Sequence, residues 1–462
     1  MEPRSGPVEG FTVIEVVVAV TILVTAMLGA ALLFENGIIV SGNTRNRVVA
    51  ANLATQAMEN VRGMAADPTQ FTNIPQGQTV YAGTDQRVNG IQFTVTQNVQ
   101  FVAQNSTLSS CDSPSGATSG QIMQVNELVT WPEMAGTKTV REVTTLSPPV
   151  GAYSMSSGSI AVKLYDSTGA VGQNINVQIV GPMTQTQQTT TEGCAYFAFL
   201  TPGTYTVTVI EGTGVGDQEV ASPAQTASVS VGQVASLQFQ YDSPGRITGT
   251  FAATPTPASG MSMSVANTGL QPYGQFSYAA TGNSTTSPSL FPYTSGYTVF
   301  AGNCTDNNPL GKDTNRNPFY PTAAPVPVSV APNGSATTAV PLYPVAVHVQ
   351  SSVGPVANTT PTAAETTGFA APYTAICTTG TATGTAPTLG MVTTNATGDS
   401  TTALPLGHFT LKGTCTKGAP ACLSKNMSGT VNVWVKPDGV YGVSGTGAST
   451  TLFAGPITVP VS

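Results

Sequence analysis

A single acid, Glu15, lies near the start of the long apolar stretch that opens this 462-residue chain. No residue from Val16 to Phe34 is charged, and an ionised side chain deep in a membrane helix costs on the order of 2.5–3.5 kcal/mol. The chemistry expected of Glu15 is therefore charge pairing. An assembly of parallel helices supplies a partner, the cationic N-terminal amine of a neighbouring subunit. The alternative is an acid at the membrane interface near the helix start.

Residues with catalytic potential are few. Only two histidines are present, His348 in the alternating segment VAVHVQ and His408 in a hairpin near the C-terminus. Alternation predicts that His348 faces the surface. No G-x-S-x-G, Walker or HExxH pattern occurs. The sequence therefore predicts a protein that is not an enzyme and uses no cofactor.

Oxygen-bearing side chains gather in the segment CTDNNPLGKDTNRNP. Its acids and amides are spaced like the start of a calcium-binding loop, but the glycine and the distal glutamate of such a loop are missing. We therefore expect a polar loop without a metal. The alternative is calcium binding by Asp306, Asp313, Asn315 and Asn317.

The six cysteines form no C-x-x-C pair, so a zinc ribbon or redox motif is not indicated. Cys415 and Cys422 flank the short loop TKGAPA, and Cys377 competes as a partner for either. One disulfide is expected among these three. Each of the others is alone in its predicted domain and is interpreted as a buried thiol: Cys111, Cys194 and Cys304.

Composition limits the classes of partner. Charged residues make up 8 % of the chain, against about 25 % in typical soluble domains. The formal charge of −7 argues against nucleic acid, which needs a basic face. Abundant Thr and Val favour β-structure, and 48 Gly and 34 Pro exclude long helices outside the N-terminus.

Glu15 lies on a helix that we predict over residues 11–63. Residues 12–34 are apolar and long enough to cross a bilayer of about 30 Å, and the run is too long for a signal peptide. An apolar stripe at helical spacing then continues through Ala50, Ala54 and Val61. Gly37 and Gly42 are expected to loosen the junction.

Residues 64–150 are predicted to form a β domain that packs on this helix. The segments VNGIQFTVTQNVQFV, QIMQVNELVTW and KTVREVTTLS alternate apolar and polar residues, as half-buried strands do. In the second segment, Ile122 and Val125 are expected to point inward.

Three copies of one pattern occupy the rest of the chain. Each has an apolar strand, a Pro or Gly turn and an aromatic-Thr-aliphatic strand, aligned on Gly203, Gly296 and Gly407. A spacing near 100 residues fits Ig-size sandwiches. The predicted domains are 158–243, 244–344 and 345–462.

The segment Gly10-Phe11-Thr12-Val13-Ile14-Glu15 resembles the processing site of type IV prepilins and pseudopilins. The resemblance implies a leader, residues 1–10, that prepilin peptidase removes after Gly10. It implies N-terminal methylation of Phe11 and a role for Glu15 in assembly. Many family members carry Lys or Arg before the glycine, where this chain has Glu9. The helix and the strands after it, residues 10–147, resemble PilV-like minor pilins.

The first repeat, with its hairpin FLTPGTYTV, resembles Cna B-type or carboxypeptidase-regulatory-like modules, which serve as stalks on bacterial surface proteins. Some such modules form a Lys–Asn isopeptide bond. Lys163 lies on the first strand, but the last strand, LQFQYD, offers no asparagine, so no such bond is expected.

Together these features predict a mainly β fold with one long N-terminal α-helix, a pilin-like α+β domain followed by tandem Ig-like sandwiches. The expected function is a structural minor subunit of a type IV pilus or pilus-like filament that displays adhesive or spacer modules. Its expected partners are other pilin subunits, prepilin peptidase, membrane lipid before assembly and a surface or cell ligand. It would cross the cytoplasmic membrane once, C-terminus outside, before joining an extracellular filament. The alternatives are a type II secretion pseudopilin and a static membrane-anchored adhesin.

Overall fold

The computed structural model describes residues 12–71, 74–75, 77–81, 87–102, 110–112, 122–132, 139–147, 149, 156–252, 254–271, 274–312, 315–323, 325–366, 376–379, 382–443 and 449–462. The prediction of a mainly β protein with one long N-terminal helix is confirmed. The chain divides into two compact units. Unit 1 comprises Met1–Lys163, Gln173–Val207 and Thr226–Leu237, and unit 2 comprises Leu164–Gly172, Thr208–Gln225 and Gln238–Ser462.

Helix α1 runs without interruption over Val13–Ala66, 54 residues or roughly 80 Å. Thr12 is its N-cap and Asp67 its C-cap, so it extends past the predicted end at residue 63. The prediction that Gly37 and Gly42 loosen the helix is wrong, since both lie within continuous helix. A glycine in a helix costs about 1 kcal/mol, but neither glycine interrupts the run of helical residues.

A four-stranded antiparallel sheet, in the order β1-β4-β5-β6, packs against the second half of α1. The strands of this region are β1 (Gly77–Tyr81), β2 (Arg87–Val88), β3 (Ile91–Gln92), β4 (Thr94–Val102), β5 (Ile122–Thr130) and β6 (Val140–Leu146). Along β5, buried and half-buried residues alternate strictly, which is the period-2 pattern of a strand with one covered face.

Two hydrophobic clusters join the helix to this sheet. Ala50 and Ala54 of α1 pack with Phe93 and Trp131. Further along, a second cluster gathers Met58, Val61, Phe71, Val99, Phe101, Met123 and Val125. These helical residues recur at intervals of three and four, so one face of α1 is apolar where it meets the sheet.

The first repeat forms eight strands. They are β7 (Gly158–Tyr165), β8 (Asn176–Val180), β9 (Thr184–Gln188), β10 (Cys194–Leu200), β11 (Gly203–Val209), β12 (Val215–Gly216), β13 (Ala224–Val229) and β14 (Val234–Asp242). A boundary between the units falls inside β7, β11, β13 and β14. Within unit 1, β10 pairs antiparallel with β7, and β8 with β9.

The predicted hairpin of this repeat connects β10 to β11. Gly203 has φ near +150°, and a Cβ there would meet Pro182 Cγ at 2.8 Å, so glycine is required at this turn. Two residues later, the Tyr205 ring is fully buried and its hydroxyl donates to Thr201 O over 2.8 Å. The repeated aromatic residue thus fixes its own turn.

Unit 2 contains the second and third repeats. Their strands are β15 (Arg246–Phe251), β16 (Ser262–Ala266), β17 (Gln275–Ala279), β18 (Ser284–Thr286), β19 (Thr298–Ala301), β20 (Ser335–Val340), β21 (Tyr343–Ser351), β22 (Thr362–Glu365), β23 (Thr378–Thr379), β24 (Ala382–Thr383), β25 (Thr388–Gly390), β26 (Asp399–Leu404), β27 (Gly407–Cys415), β28 (Met427–Lys436), β29 (Gly439–Val443), β30 (Ser449–Leu452) and β31 (Ile457–Val461). The largest sheet has the order β25-β22-β27-β28-β29-β30.

The second and third repeats share one hydrophobic core, which includes residues from Ile247 to Val459. Backbone bridges join Pro257 to Ala403 and Ser259 to Gly390. The chain segments 244–344 and 345–462, which we predicted as separate sandwiches, are therefore packed together in unit 2.

All six cysteines are paired. The disulfides are Cys111–Cys194, Cys304–Cys377 and Cys415–Cys422. The interpretation of Cys111, Cys194 and Cys304 as lone thiols is wrong, because each has a partner from a distant part of the sequence. Cys415 is bonded to Cys422, and Cys377 pairs outside the expected set of three.

Candidate functional site

The first half of α1 is apolar and exposed. Val13 and Leu33 have 82 % and 75 % of their surface exposed. An 18-residue window of this helix reaches a mean hydropathy of 2.7, and none of it is buried within the protein. The helix is thus long and apolar enough to cross a membrane.

Glu15 lies in the first turn of this apolar segment. Its backbone N–H donates to Thr12 O over 3.0 Å, and its side chain is exposed. The N-terminal end of the helix dipole favours a carboxylate here. Among the described residues, no cation lies within ion-pair distance of it. Gly10 and Phe11, the predicted processing site, lie outside the described residues.

The second half of α1 covers an unexpected acid, Glu127 of β5. Glu127 is fully buried, and neither of its carboxyl oxygens has a hydrogen-bond partner in the described part of the chain. Burial, and then the charge of Glu142, raise its pKa to about 7. Glu142 faces it on β6 and accepts a hydrogen bond from Thr55 of α1 over 2.9 Å. The acid beneath the helix is thus poised to change charge near neutral pH.

A second buried polar cluster lies in unit 2. His408 Nδ1 lies 3.1 Å from Asp306 Oδ2, and the His408 backbone N–H donates to the same oxygen over 3.2 Å. The His408 ring stacks on Trp434 with centroids 4.4 Å apart. The Tyr320 hydroxyl donates to Asp306 O over 2.5 Å. A His–Asp pair of this kind would suit general base catalysis only if a substrate could reach it.

Glu365 completes this cluster. Asn307 Nδ2 donates to Glu365 Oε1 over 3.1 Å and to Leu406 O over 2.6 Å. Burial, and then the nearby Asp306 carboxyl, hold the pKa of Glu365 well above its ordinary value. The neutral form of Glu365 is therefore favoured, which limits the cost of two enclosed acids.

The enclosure of this cluster decides its role. Asp306, Asn307, Glu365 and His408 are all buried. Cys304 Sγ lies close to both carboxyl groups, but it is committed to the disulfide with Cys377 and supplies no thiolate. The arrangement is therefore a buried network that joins segments distant in sequence, and it offers no open catalytic surface.

The calcium candidates that the structure describes lie in different environments. Asp306 is buried against His408, whereas Asn315 and Asn317 are exposed. Asp313 lies outside the described residues. The reason is local: Asp306 turns into the core with Asn307, away from the loop surface.

His348 is half-buried on β21 and is engaged on both ring nitrogens. Nδ1 lies 2.7 Å from Asp399 Oδ1, and Nε2 lies 2.8 Å from Gln350 Oε1. These hydrogen bonds raise its pKa. His348 and His408 lie on different sheets and contact different acids.

Lys163 of β7 forms an ion pair instead of meeting an asparagine. Its Nζ lies 2.9 Å from Asp112 Oδ1, and its side chain is largely buried. The neighbouring Cys111 is tied to Cys194 of β10. Both links hold the short helix Ser110–Asp112 on the β7–β10 pair.

Sequence reasoning missed two of the buried acids above. Glu127 occupies an inward position of β5 in register with Val125 and Val129, and Glu365 follows Ala363 on the inward face of β22. The alternation of each strand contained the signal, because an acid at an inward position must be buried once the register is fixed.

Comparisons with known proteins find structural similarity to solved proteins, but at low sequence identity and low TM-score. No family model matches the chain, and no curated protein sequence matches it significantly. Among solved structures, the Bacillus anthracis TIE protein is similar at 13 % identity, covering 84 % of this chain and 73 % of its own, with a TM-score of 0.20.

Two solved pilins are also similar. For BcpA, the major pilin subunit of Bacillus cereus, the identity is 10 %, the coverage 66 % of this chain and 97 % of its own, and the TM-score 0.19. For the major pilin SpaD of Corynebacterium diphtheriae the identity is 11 %, the coverage 66 % of this chain and 95 % of its own, and the TM-score 0.18. Similarity at this level carries no conclusion about family or activity.

Proposed function

We propose that the protein is a structural, non-enzymatic minor subunit of a type IV pilus or a pilus-like filament. Prepilin peptidase would cleave it after Gly10, and Phe11 would become the methylated N-terminus. Before assembly the apolar first half of the helix would cross the membrane, with the C-terminus outside. Afterwards the protein would belong to an extracellular filament and present its β-sandwiches to a surface or a cell.

The observation that carries this proposal is the division of α1 into two halves. From Val13 to Phe34 the helix is apolar and exposed, with Glu15 as its only charged residue. From Ala50 onward one face is buried against a sheet. A membrane anchor alone would not need an acid within its apolar half. A helix that enters a filament core does, because a neighbouring N-terminal amine neutralises that acid on docking.

Two measurements test the proposal. Mass spectrometry of the protein in sheared surface fractions should find a chain that begins at methylated Phe11. Replacement Glu15→Ala should reduce recovery in sheared filaments at least about tenfold, the cost of leaving the amine unpaired, and leave the membrane level unchanged. Glu35→Ala removes an exposed acid from the same helix and should be neutral.

The alternatives predict other results. A static membrane-anchored adhesin would tolerate Glu15→Ala and would stay in the membrane after shearing. A type II secretion pseudopilin would share the processing but would support protein export. Recovery of a chain that still begins at Met1 would show that prepilin peptidase does not cleave it, and would exclude both the pilus subunit and the pseudopilin.

A further inference from the structure

The C-terminal part of the chain is basic, although the whole chain carries a charge of −7. Between residues 400 and 462 there are four lysines and one aspartate, and residues 400–437 contain no acid. Two of these lysines, Lys417 and Lys425, lie in the loop between β27 and β28. This loop, residues 416–426, is here named the basic hairpin tip.

The basic hairpin tip is held rigidly. Strands β27 and β28 pair in an unbroken register from Gly407↔Val435 to Cys415↔Met427, and both lie inside the six-stranded sheet. The Cys415–Cys422 disulfide closes the loop, and the Lys417 backbone N–H donates to Asn426 Oδ1 over 2.7 Å.

An apolar side chain projects from the same loop. Leu423 directly follows the disulfide and has 72 % of its surface exposed. Lys417 and Lys425, on either side of it in sequence, are exposed as well. The tip therefore combines a protruding leucine with two cations.

A second apolar residue reaches the same end of the sandwich. Ser351 Oγ donates to Ala421 O over 3.0 Å and accepts from the Val353 N–H over 3.1 Å. Val353 has 73 % of its surface exposed. Beneath both loops lies a small core that includes Val349 and Cys422. Val353 and Leu423 are exposed and lie outside it.

We propose that the basic hairpin tip, together with Val353, docks on an anionic phospholipid bilayer. Anionic lipid attracts surface lysines, with about a fivefold gain in affinity for each one. Leu423 and Val353 would enter the interfacial region, where burial of apolar area adds affinity. A polyanionic polysaccharide would use the lysines but would gain nothing from an exposed leucine. A bilayer is therefore the occupant that the charge and the apolar residues both favour. This proposal does not require that the chain polymerises.

The test uses the full chain reconstituted in neutral phosphatidylcholine liposomes, so that α1 is already embedded. Fluorescent target vesicles contain either phosphatidylcholine alone or 30 mol % phosphatidylglycerol. We expect capture of the anionic vesicles only. Lys417→Gln/Lys425→Gln should reduce capture at least tenfold, as should Leu423→Ser. The matched control Lys312→Gln/Arg316→Gln removes the same charge from another exposed loop of unit 2 and should capture as the unaltered chain does.

Three outcomes would overturn the proposal. They are equal capture of neutral and anionic vesicles, capture that survives the tip variants, and binding to polygalacturonate beads without vesicle capture. A folding defect is distinguished by the circular dichroism and the Cys415–Cys422 bond of each variant, which Leu423→Ser, on an exposed side chain, should leave intact. Failure of filament assembly does not affect this assay, so the two proposals fail separately.

Discussion

The Tyr297 hydroxyl oxygen lies 2.6 Å from Glu219 Oε1 and also 2.6 Å from Phe291 O, deep within unit 2. A single hydroxyl hydrogen cannot serve two acceptors. Burial raises the pKa of Glu219 to about 8, against the opposing hydrogen bonds from Tyr297 and the Phe291 N–H. The ionised form of Glu219 accepts from Tyr297, whereas the protonated form donates to Tyr297 and lets Tyr297 donate to Phe291 O. The raised pKa extends the protonated form toward neutral pH.

This relay predicts that unit 2 loses stability as pH rises from about 4.5, the ordinary glutamate pKa, to about 8. In that window the folded state holds a proton that the unfolded chain has lost. Glu219→Gln should reduce this pH dependence, leaving the part that comes from Glu365, while keeping stability at pH 6, because an amide can donate to Tyr297 and accept from the Phe291 N–H. Hydrogen exchange at β19, corrected for the pH dependence of intrinsic exchange rates, measures the stability at pH 6 and its change with pH. A Gln variant with the same pH profile as the unaltered chain would contradict the relay.

Glu127 predicts a similar but separate effect in unit 1. Its pKa near 7 means that stability falls between pH 4.5 and 7, by at most about 3 kcal/mol, and stays constant above. Glu127→Gln should flatten this profile in β5 and leave unit 2 unchanged. Glu142→Gln is the matched control: it removes the neighbouring charge that raises the Glu127 pKa, so it should shift the window toward lower pH. An unshifted window would mean that burial alone sets the pKa.

Equivalent tyrosines in two repeats allow a paired comparison. Tyr205→Phe removes one hydrogen bond, to Thr201 O, and should cost about 1 kcal/mol. Tyr297→Phe removes two contacts of the hydroxyl, one with Glu219 Oε1 and one with Phe291 O, and should cost about 2 kcal/mol. Hydrogen exchange at β11 and β19 reports each site. Equal costs would show that Glu219 finds another partner.

Much of this fold could be predicted from local pattern. Apolar residues that recur with the 3.6-residue period of a helix predict that Ala50, Ala54 and Val61 share the packed face of α1. Apolar residues that alternate with polar ones predict strands β4 and β5. The repeated aromatic residues Tyr205, Tyr297 and Phe409 are all fully buried. Such features depend on neighbours a few residues away, which the sequence displays directly.

The wrong predictions concern features that depend on strand register or on contacts between residues distant in sequence. Ile122 was expected to point inward with Val125, but residues three apart lie on opposite faces of a strand, and Met123 takes the inward position. The three cysteines interpreted as thiols pair across 73 or more residues, a distance over which no local pattern acts. The shared core of the second and third repeats was missed for the same reason, since pattern locates strands but not the surfaces that they cover.

Loop length predicts unequal contributions of the disulfides. Cys111–Cys194 closes a separation of 83 residues and Cys415–Cys422 one of 7. Chain entropy then gives about 4.5 kcal/mol for the long loop and about 2.4 kcal/mol for the short one. Cys111→Ala/Cys194→Ala should therefore destabilise unit 1 more than Cys415→Ala/Cys422→Ala destabilises unit 2. Urea unfolding followed by hydrogen exchange in each unit measures the two losses. If loss of the Cys415–Cys422 bond costs as much stability as loss of the Cys111–Cys194 bond, the entropic account of both bonds is wrong. The bond at the basic hairpin tip would then stabilise the folded loop itself.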